Sequence, residues 1–89
     1  MKYKVEYTKK AKQDLEFHQR SGNKAILNKI ESLSAELSEH PRTGTGKPEQ
    51  LKYGLAGQWS RRINSEHRLL YTIEDDRVVV EVLSAKGHY

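Results

Sequence analysis

Six side chains carry the chemistry this sequence can offer: Glu49 in a loop rich in glycine and proline, Lys47 and Lys52 beside it, Arg62 and Arg68 on either side of one short turn, and His88 next to the last residue. Cleaving RNA without a metal takes a base for the 2′-hydroxyl, cations for the charge that grows on phosphorus, and an acid for the leaving 5′-oxygen. A carboxylate, guanidinium groups and an imidazole supply these in turn. Each also has a plainer reading. A carboxylate after a proline is most often simply solvated, and Lys47 and Lys52 either keep it ionised or form surface ion pairs worth about 0–1 kcal/mol. Arg61 and Arg62 are neighbours on a strand and must point to opposite faces, while Arg68 returns just past the turn. Whether Arg62 and Arg68 share a face depends on hairpin register; if they do, they form a multidentate phosphate clamp that lysine reproduces poorly. His88 stands where chains fray, yet an imidazole titrates near neutrality, and Tyr89 beside it offers a ring for a base or a hydroxyl for a phosphate.

The remaining polar candidates read as structural or solvated. His18, His40 and His67 fall on a helix face, at a helix end and in a turn, and Trp59 at the start of a strand is a packing residue. No metal site is expected, because Glu74-Asp75-Asp76 reads as a turn and no histidine pair has helical ligand spacing. Gly44-Thr45-Gly46-Lys47 lacks the spacing and the following helix of a phosphate-cradling loop, so no cofactor is expected either.

These residues need elements to hold them. Tyr3, Val5 and Tyr7 alternate with Lys4 and Glu6 as in a half-buried strand, and Thr8 is a helix N-cap. A short helix from Lys9 to about Gln19 places Ala11, Leu15 and His18 at helical spacing and stops at Ser21-Gly22. Ile26, Ile30, Leu33 and Leu37 then form one apolar stripe, so a second helix faces the core until His40-Pro41 ends it. A link of two or three residues makes the helices an antiparallel pair. Residues 42–50 are a loop. Three β-like stretches follow, Gln58 to Ile63, Arg68 to Ile73 and Val78 to Leu83, with a further short strand at Leu51 to Tyr53. The expected fold is α+β: an N-terminal strand and two antiparallel helices packed on one face of an antiparallel sheet, the other face open.

Eighty-nine residues allow one domain, spanning 1–89, and the 35% hydrophobic share falls in periodic groups rather than in the even polarity of a disordered chain. The absence of cysteine closes disulfide, zinc-ribbon and thiol chemistry. No apolar run approaches the roughly 20 residues of a membrane span, so no membrane partner is expected, and the expected location is the cytoplasm. Sixteen basic against twelve acidic residues, a net charge of +4, suit a polyanionic partner without specifying one.

Taken together, Gly46-Lys47-Pro48-Glu49-Gln50-Leu51-Lys52, Leu55-Ala56-Gly57-Gln58-Trp59-Ser60-Arg61-Arg62-Ile63, Glu66-His67-Arg68-Leu69-Leu70-Tyr71 and the closing His88-Tyr89 resemble the YoeB (Txe) toxins within the RelE/ParE-like superfamily of type II toxin–antitoxin systems. The resemblance covers nearly the whole chain, and its specific half is residues 46–89. It implies a RelE-like fold and a metal-independent endoribonuclease that cuts mRNA in the ribosomal A site. Cleavage there leaves a 2′,3′-cyclic phosphate and a 5′-hydroxyl and inhibits translation. It further implies a cognate antitoxin of the YefM/Axe kind and self-association as a homodimer. By position, Glu49 corresponds to the general base, His88 to the general acid and Arg68 to the arginine that stabilises the transition state. Arg62 and Lys52 correspond to supporting cations and Tyr89 to the terminal tyrosine, while Lys47 is assigned phosphate contact only. One departure is visible, because Gly87 stands before His88 where some relatives have an aromatic residue; it removes a base-stacking contact and adds backbone freedom.

Two other classes fit part of the pattern. A binding module of the same fold would block its partner without cutting RNA, and the pairing of Glu49 with His88 argues against that. An interaction protein whose basic sheet docks an acidic peptide is compatible with a nuclease, since an antitoxin tail would do the same.

Overall fold

The computed structural model describes residues 2–52 and 57–87, and its first element is the alternating N-terminal stretch, β1 (Lys4–Tyr7). Thr8 ends it. The Thr8 hydroxyl accepts from the Ala11 N–H at 3.1 Å, capping α1 (Lys9–Ser21), and donates to the Leu83 carbonyl at 3.0 Å. Gly22 closes α1 at φ 72°, a left-handed conformation that a residue without Cβ enters freely. Asn23 then accepts from the Ile26 N–H at 3.1 Å and caps α2 (Lys24–Glu39). The expected stop and the short link are therefore both present. Ile26, Ile30, Leu33 and Leu37 are all buried, the two leucines completely, each worth about 1.5–3 kcal/mol.

After α2 come β2 (Glu49–Gln50), β3 (Gln58–Arg62), β4 (Arg68–Glu74) and β5 (Val79–Ser84), in the spatial order β1-β5-β4-β3-β2. The expected strand at Leu51 to Tyr53 begins earlier, at Glu49, so Glu49 belongs to an edge strand rather than to a loop. Pairing decides this against the weak strand propensity of Glu-Gln: Glu49 and Gln50 lie opposite Ser60 and Trp59, and the Leu51 N–H continues the ladder to the Gln58 carbonyl at 2.9 Å. Tyr53 lies outside the described residues. Strands β2 to β5 are antiparallel as expected, whereas β1 runs parallel to β5 and makes the sheet mixed. Tight turns specify neighbour and direction for β3, β4 and β5, but β1 pairs with a strand at the other end of the chain, and nothing local encodes that.

Both helices cover one face, where Leu69, Tyr71, Val80 and Val82 are fully buried against α1 and α2, with Val5, Tyr7, Trp59 and Ile73 packed around them. The packing role expected for Trp59 is found. Among the described residues no helix is long and apolar enough to cross a membrane.

Candidate active site

Register settles which side chains share the open face. Arg62 lies directly opposite Arg68, and Glu49 directly opposite Ser60. Cross-strand partners share a face and neighbours alternate, so Glu49, Ser60, Arg62 and Arg68 occupy the side away from the helices, while Arg61 and Trp59 face the core. Glu49 is the diagonal neighbour of Arg62, a separation of about 7–8 Å between backbones that long side chains bridge. Glu49 and Arg62 are exposed and Arg68 is half-buried. Two cations directly opposite one another disfavour strand pairing but favour a bound anion. Lys47 and Lys52 are exposed at either end of the segment that carries Glu49.

That segment is hung on Arg61. The Arg61 side chain is fully buried and all five of its N–H groups are used: Nε donates to the Tyr71 hydroxyl at 3.2 Å, Nη1 to Glu36 Oε1 at 3.1 Å and the Thr45 carbonyl at 3.3 Å, and Nη2 to the carbonyls of His40 and Thr43. Tyr71 in turn donates to the Pro41 carbonyl at 2.8 Å, and burial pushes its phenol above the ordinary value. Glu36 also accepts from the Thr45 N–H at 2.7 Å; this bond first, and the Arg61 charge after it, hold the Glu36 carboxyl below the usual glutamate value. Residues 40–45 thus wrap a guanidinium planted in β3. The wrap ends at Gly46, whose carbonyl accepts from the Arg62 N–H at 2.7 Å; at φ 85° a Cβ there would come within 2.9 Å of the Arg62 carbonyl oxygen. Lys47 follows at φ 52°, a left-handed conformation that for a lysine stores about 1–3 kcal/mol.

The other approach to Arg68 is made by the C-terminal segment. Beyond β5 the Arg68 N–H donates to the Gly87 carbonyl at 3.0 Å, so Gly87 runs alongside the arginine. The Gly87 N–H donates to His67 Nδ1 at 3.0 Å, and Ala85 is bonded to Asp14 and His18 of α1. His88 and Tyr89 lie outside the described residues. Of the seven expected site residues, five are therefore described: Glu49, Arg62 and Arg68 share the open face, and Lys47 and Lys52 flank Glu49 in the chain. Reading the sequence missed Arg61, which a doublet cannot distinguish from Arg62, and the hydrogen-bonding duties of Asp14, His18 and His67. For His18 the signal was its helical spacing with Ala11 and Leu15, which marks a buried position.

Among the described residues, no three His, Cys, Asp or Glu side chains come together as a metal site. A groove of about 370 Å³ lined by Tyr7, Leu15, Leu27 and Ile30 opens between the helices and β1, away from the charged face. The arrangement on the open face can bind a phosphate through two guanidiniums and present a carboxylate as proton acceptor beside it.

Comparison with known proteins agrees with this fold. Residues 7–89 match the family described as the YoeB-like toxin of bacterial type II toxin-antitoxin systems. Toxin YoeB of Synechocystis sp. is 42% identical over 86 residues, covering 97% of this chain and 96% of its own. The structure of a YoeB/ParE toxin from Agrobacterium tumefaciens superposes with a TM-score of 0.90 at 38% identity, covering 97% of this chain and 99% of that one. Two Staphylococcus aureus structures cover both chains completely: a YoeB–YefM complex (TM-score 0.83, 37% identity) and a YoeB dimer (TM-score 0.85, 36% identity). With all but its first six residues matched and relatives this similar along their full length, the chain belongs to the YoeB-like toxins of bacterial type II toxin–antitoxin systems.

Proposed function

We propose that the chain is an endoribonuclease that cuts mRNA in the ribosomal A site and so stops translation. Glu49 takes the proton of the 2′-hydroxyl, the freed oxygen attacks phosphorus, and the 5′-oxygen leaves with a proton from His88. The products are a 2′,3′-cyclic phosphate and a 5′-hydroxyl. Arg68 carries the charge that builds on the phosphoryl oxygens, with Arg62 and Lys52 in support, while Lys47 and Tyr89 contact flanking phosphates. The base and the acid are each worth about 10²–10⁴-fold and a well-placed cation about 10²–10³-fold, so the work is divided among several groups. The observation that supports this reading best is the strand register, in which the carboxylate and both guanidiniums face the same open side.

The S. aureus relative has been solved with YefM and as a dimer, and the same partners are proposed here: an acidic antitoxin segment covering the basic face, and a second copy of the chain. The working location is the cytoplasm, where the ribosomes are. Primer extension on mRNA from a cell-free translation reaction tests the reading directly. Discrete new 5′ ends that require both the protein and ribosomes are expected, and inhibited translation with intact mRNA would refute nuclease action.

A further inference from the structure

The chain's last described residues are held unusually well for a terminus, where backbone groups ordinarily fray. Ala85 is gripped at both of its polar groups: its N–H donates to Asp14 Oδ2 at 2.9 Å, and its carbonyl pairs with His18 Nε2 at 2.9 Å. Gly87 is gripped the same way, by His67 Nδ1 on its N–H and by the Arg68 N–H on its carbonyl, both at 3.0 Å. Asp14 and His18 lie one helical turn apart, and both are more than nine-tenths buried. The two imidazoles meet edge to face at 4.9 Å, making a continuous ridge from α1 to the β3–β4 turn beneath the tail. His67 is itself fixed from that turn, since Asn64 Oδ1 accepts from its N–H at 2.8 Å.

The partners dictate the protonation states. A carbonyl only accepts, so His18 carries its proton on Nε2; an amide only donates, so His67 must leave Nδ1 bare and is neutral with its proton on Nε2. We infer that His67 is a positioning residue for the proton donor of the tail, its bare Nδ1 clamping the peptide that immediately precedes His88. The inference rests on the proposed reading of His88 as the acid. His88 is the next residue in the sequence, one peptide bond beyond Gly87, whose own φ is 78°. The side chain that fixes Gly87 therefore fixes the point of the backbone from which the acid follows. The backbone freedom of a glycine before the acid is taken up by two hydrogen bonds.

Protonation of Nδ1 would set a donor against the Gly87 donor and release the tail. The groups that bias this are Glu66, whose Oε2 is 4.0 Å from Nε2 on the same turn, His18 and Asp14 on α1, with Asp14 held by Lys10, and Arg68 and Lys86 on the adjoining strand and tail.

The test compares H67F, which keeps a ring but no acceptor, with H67N, whose Oδ1 falls near the position of Nδ1. Two readouts are taken on the full chain: hydrogen exchange of the Gly87 amide in ¹⁵N-labelled protein, and kcat and KM for mRNA cleavage on ribosomes. H67F is expected to speed Gly87 exchange about tenfold and to lower kcat about a hundredfold with KM unchanged, and H67N to restore both. Where H67F does not fold, H67Q replaces it, because its oxygen reaches the Nε2 side of the ring and cannot accept from Gly87. Gly87 protection unchanged in the acceptor-less variant overturns the inference whatever happens to RNA. Protection lost with kcat intact reduces His67 to a structural tie and equally overturns the positioning role. Wild-type protein that leaves mRNA intact overturns the nuclease reading instead, and the exchange measurement then decides the clamp alone.

Discussion

Replacing Arg61 with methionine removes the group around which residues 40–45 are wound, and its consequence can be worked from the hydrogen bonds. The guanidinium satisfies five acceptors from complete burial, three of them main-chain carbonyls of the loop. Without it, Glu36 keeps its hydrogen bonds with Thr45, and the loop carbonyls must find water or open outward. Breaking a buried pair by deleting one partner costs about 3–5 kcal/mol. Glu36 retains 27% of its side-chain exposure, which argues for the lower end, about 3 kcal/mol. A chain of 89 residues has a total stability of only about 4–13 kcal/mol, so this one change removes between a quarter and most of it. At about 4–8 °C per kcal/mol for a domain this small, R61M should melt at least about 12 °C below wild type by circular dichroism. R61K, with three donors in place of five, should fall between the two. A loss below about 1 kcal/mol in R61M, the worth of an ordinary surface ion pair, would refute the argument that this residue holds the loop.

The other predictions concern the site, the loop and the core. E49A and R68A should each reduce mRNA cleavage about a hundredfold or more while melting within a few degrees of wild type; wild-type-like rates in both purified variants would remove the mechanism. Because the folded-state Glu36 carboxyl titrates below its ordinary value of 4.5, its contribution to stability is complete above that pH and is lost as the pH falls through the lower folded-state value; E36Q should flatten this part of an acid-unfolding curve. G46A should destabilise by about 1–3 kcal/mol in urea melts, since its Cβ meets the Arg62 carbonyl oxygen and its φ is positive. L37A in the fully buried stripe of α2 should lose about 2–5 kcal/mol by the same measurement.

Much of this could be read from the sequence, for physical reasons that also explain what could not. The stripe of Ile26, Ile30, Leu33 and Leu37 and the caps at Thr8 and Gly22 are local signals, and the elements they specify are present. Glu49, Arg62 and Arg68 were identifiable by type, but their convergence on one face was not, because it depends on a register set by the turn at residues 63–67, where Asn64 Oδ1 bonds two main-chain N–H groups. The parallel placement of β1 depends on a partner more than seventy residues away. Glu49 was expected in a loop because residues 42–50 hold two glycines and a proline with no periodicity; β3 supplies the pairing that makes Glu49 and Gln50 a strand. His67 looked like an ordinary turn residue since its function is a bond to a backbone group twenty residues on, which side-chain chemistry does not advertise.

The adjacent arginines of β3 have a final consequence for how the molecule matures. Arg61 anchors the loop from within the core and Arg62 faces outward, so a single strand writes both the scaffold and the charged floor, in alternate letters. A slip of one residue in β3 would bring Arg62 to the buried position in place of Arg61, one guanidinium for another, so the doublet alone does not register the error. Its neighbours do: the same slip turns Trp59 out of the core, sends the small Ser60 in, and carries Arg62 away from its place opposite Arg68. Correct alignment is thereby enforced by the packing residues that flank the doublet rather than by the arginines themselves.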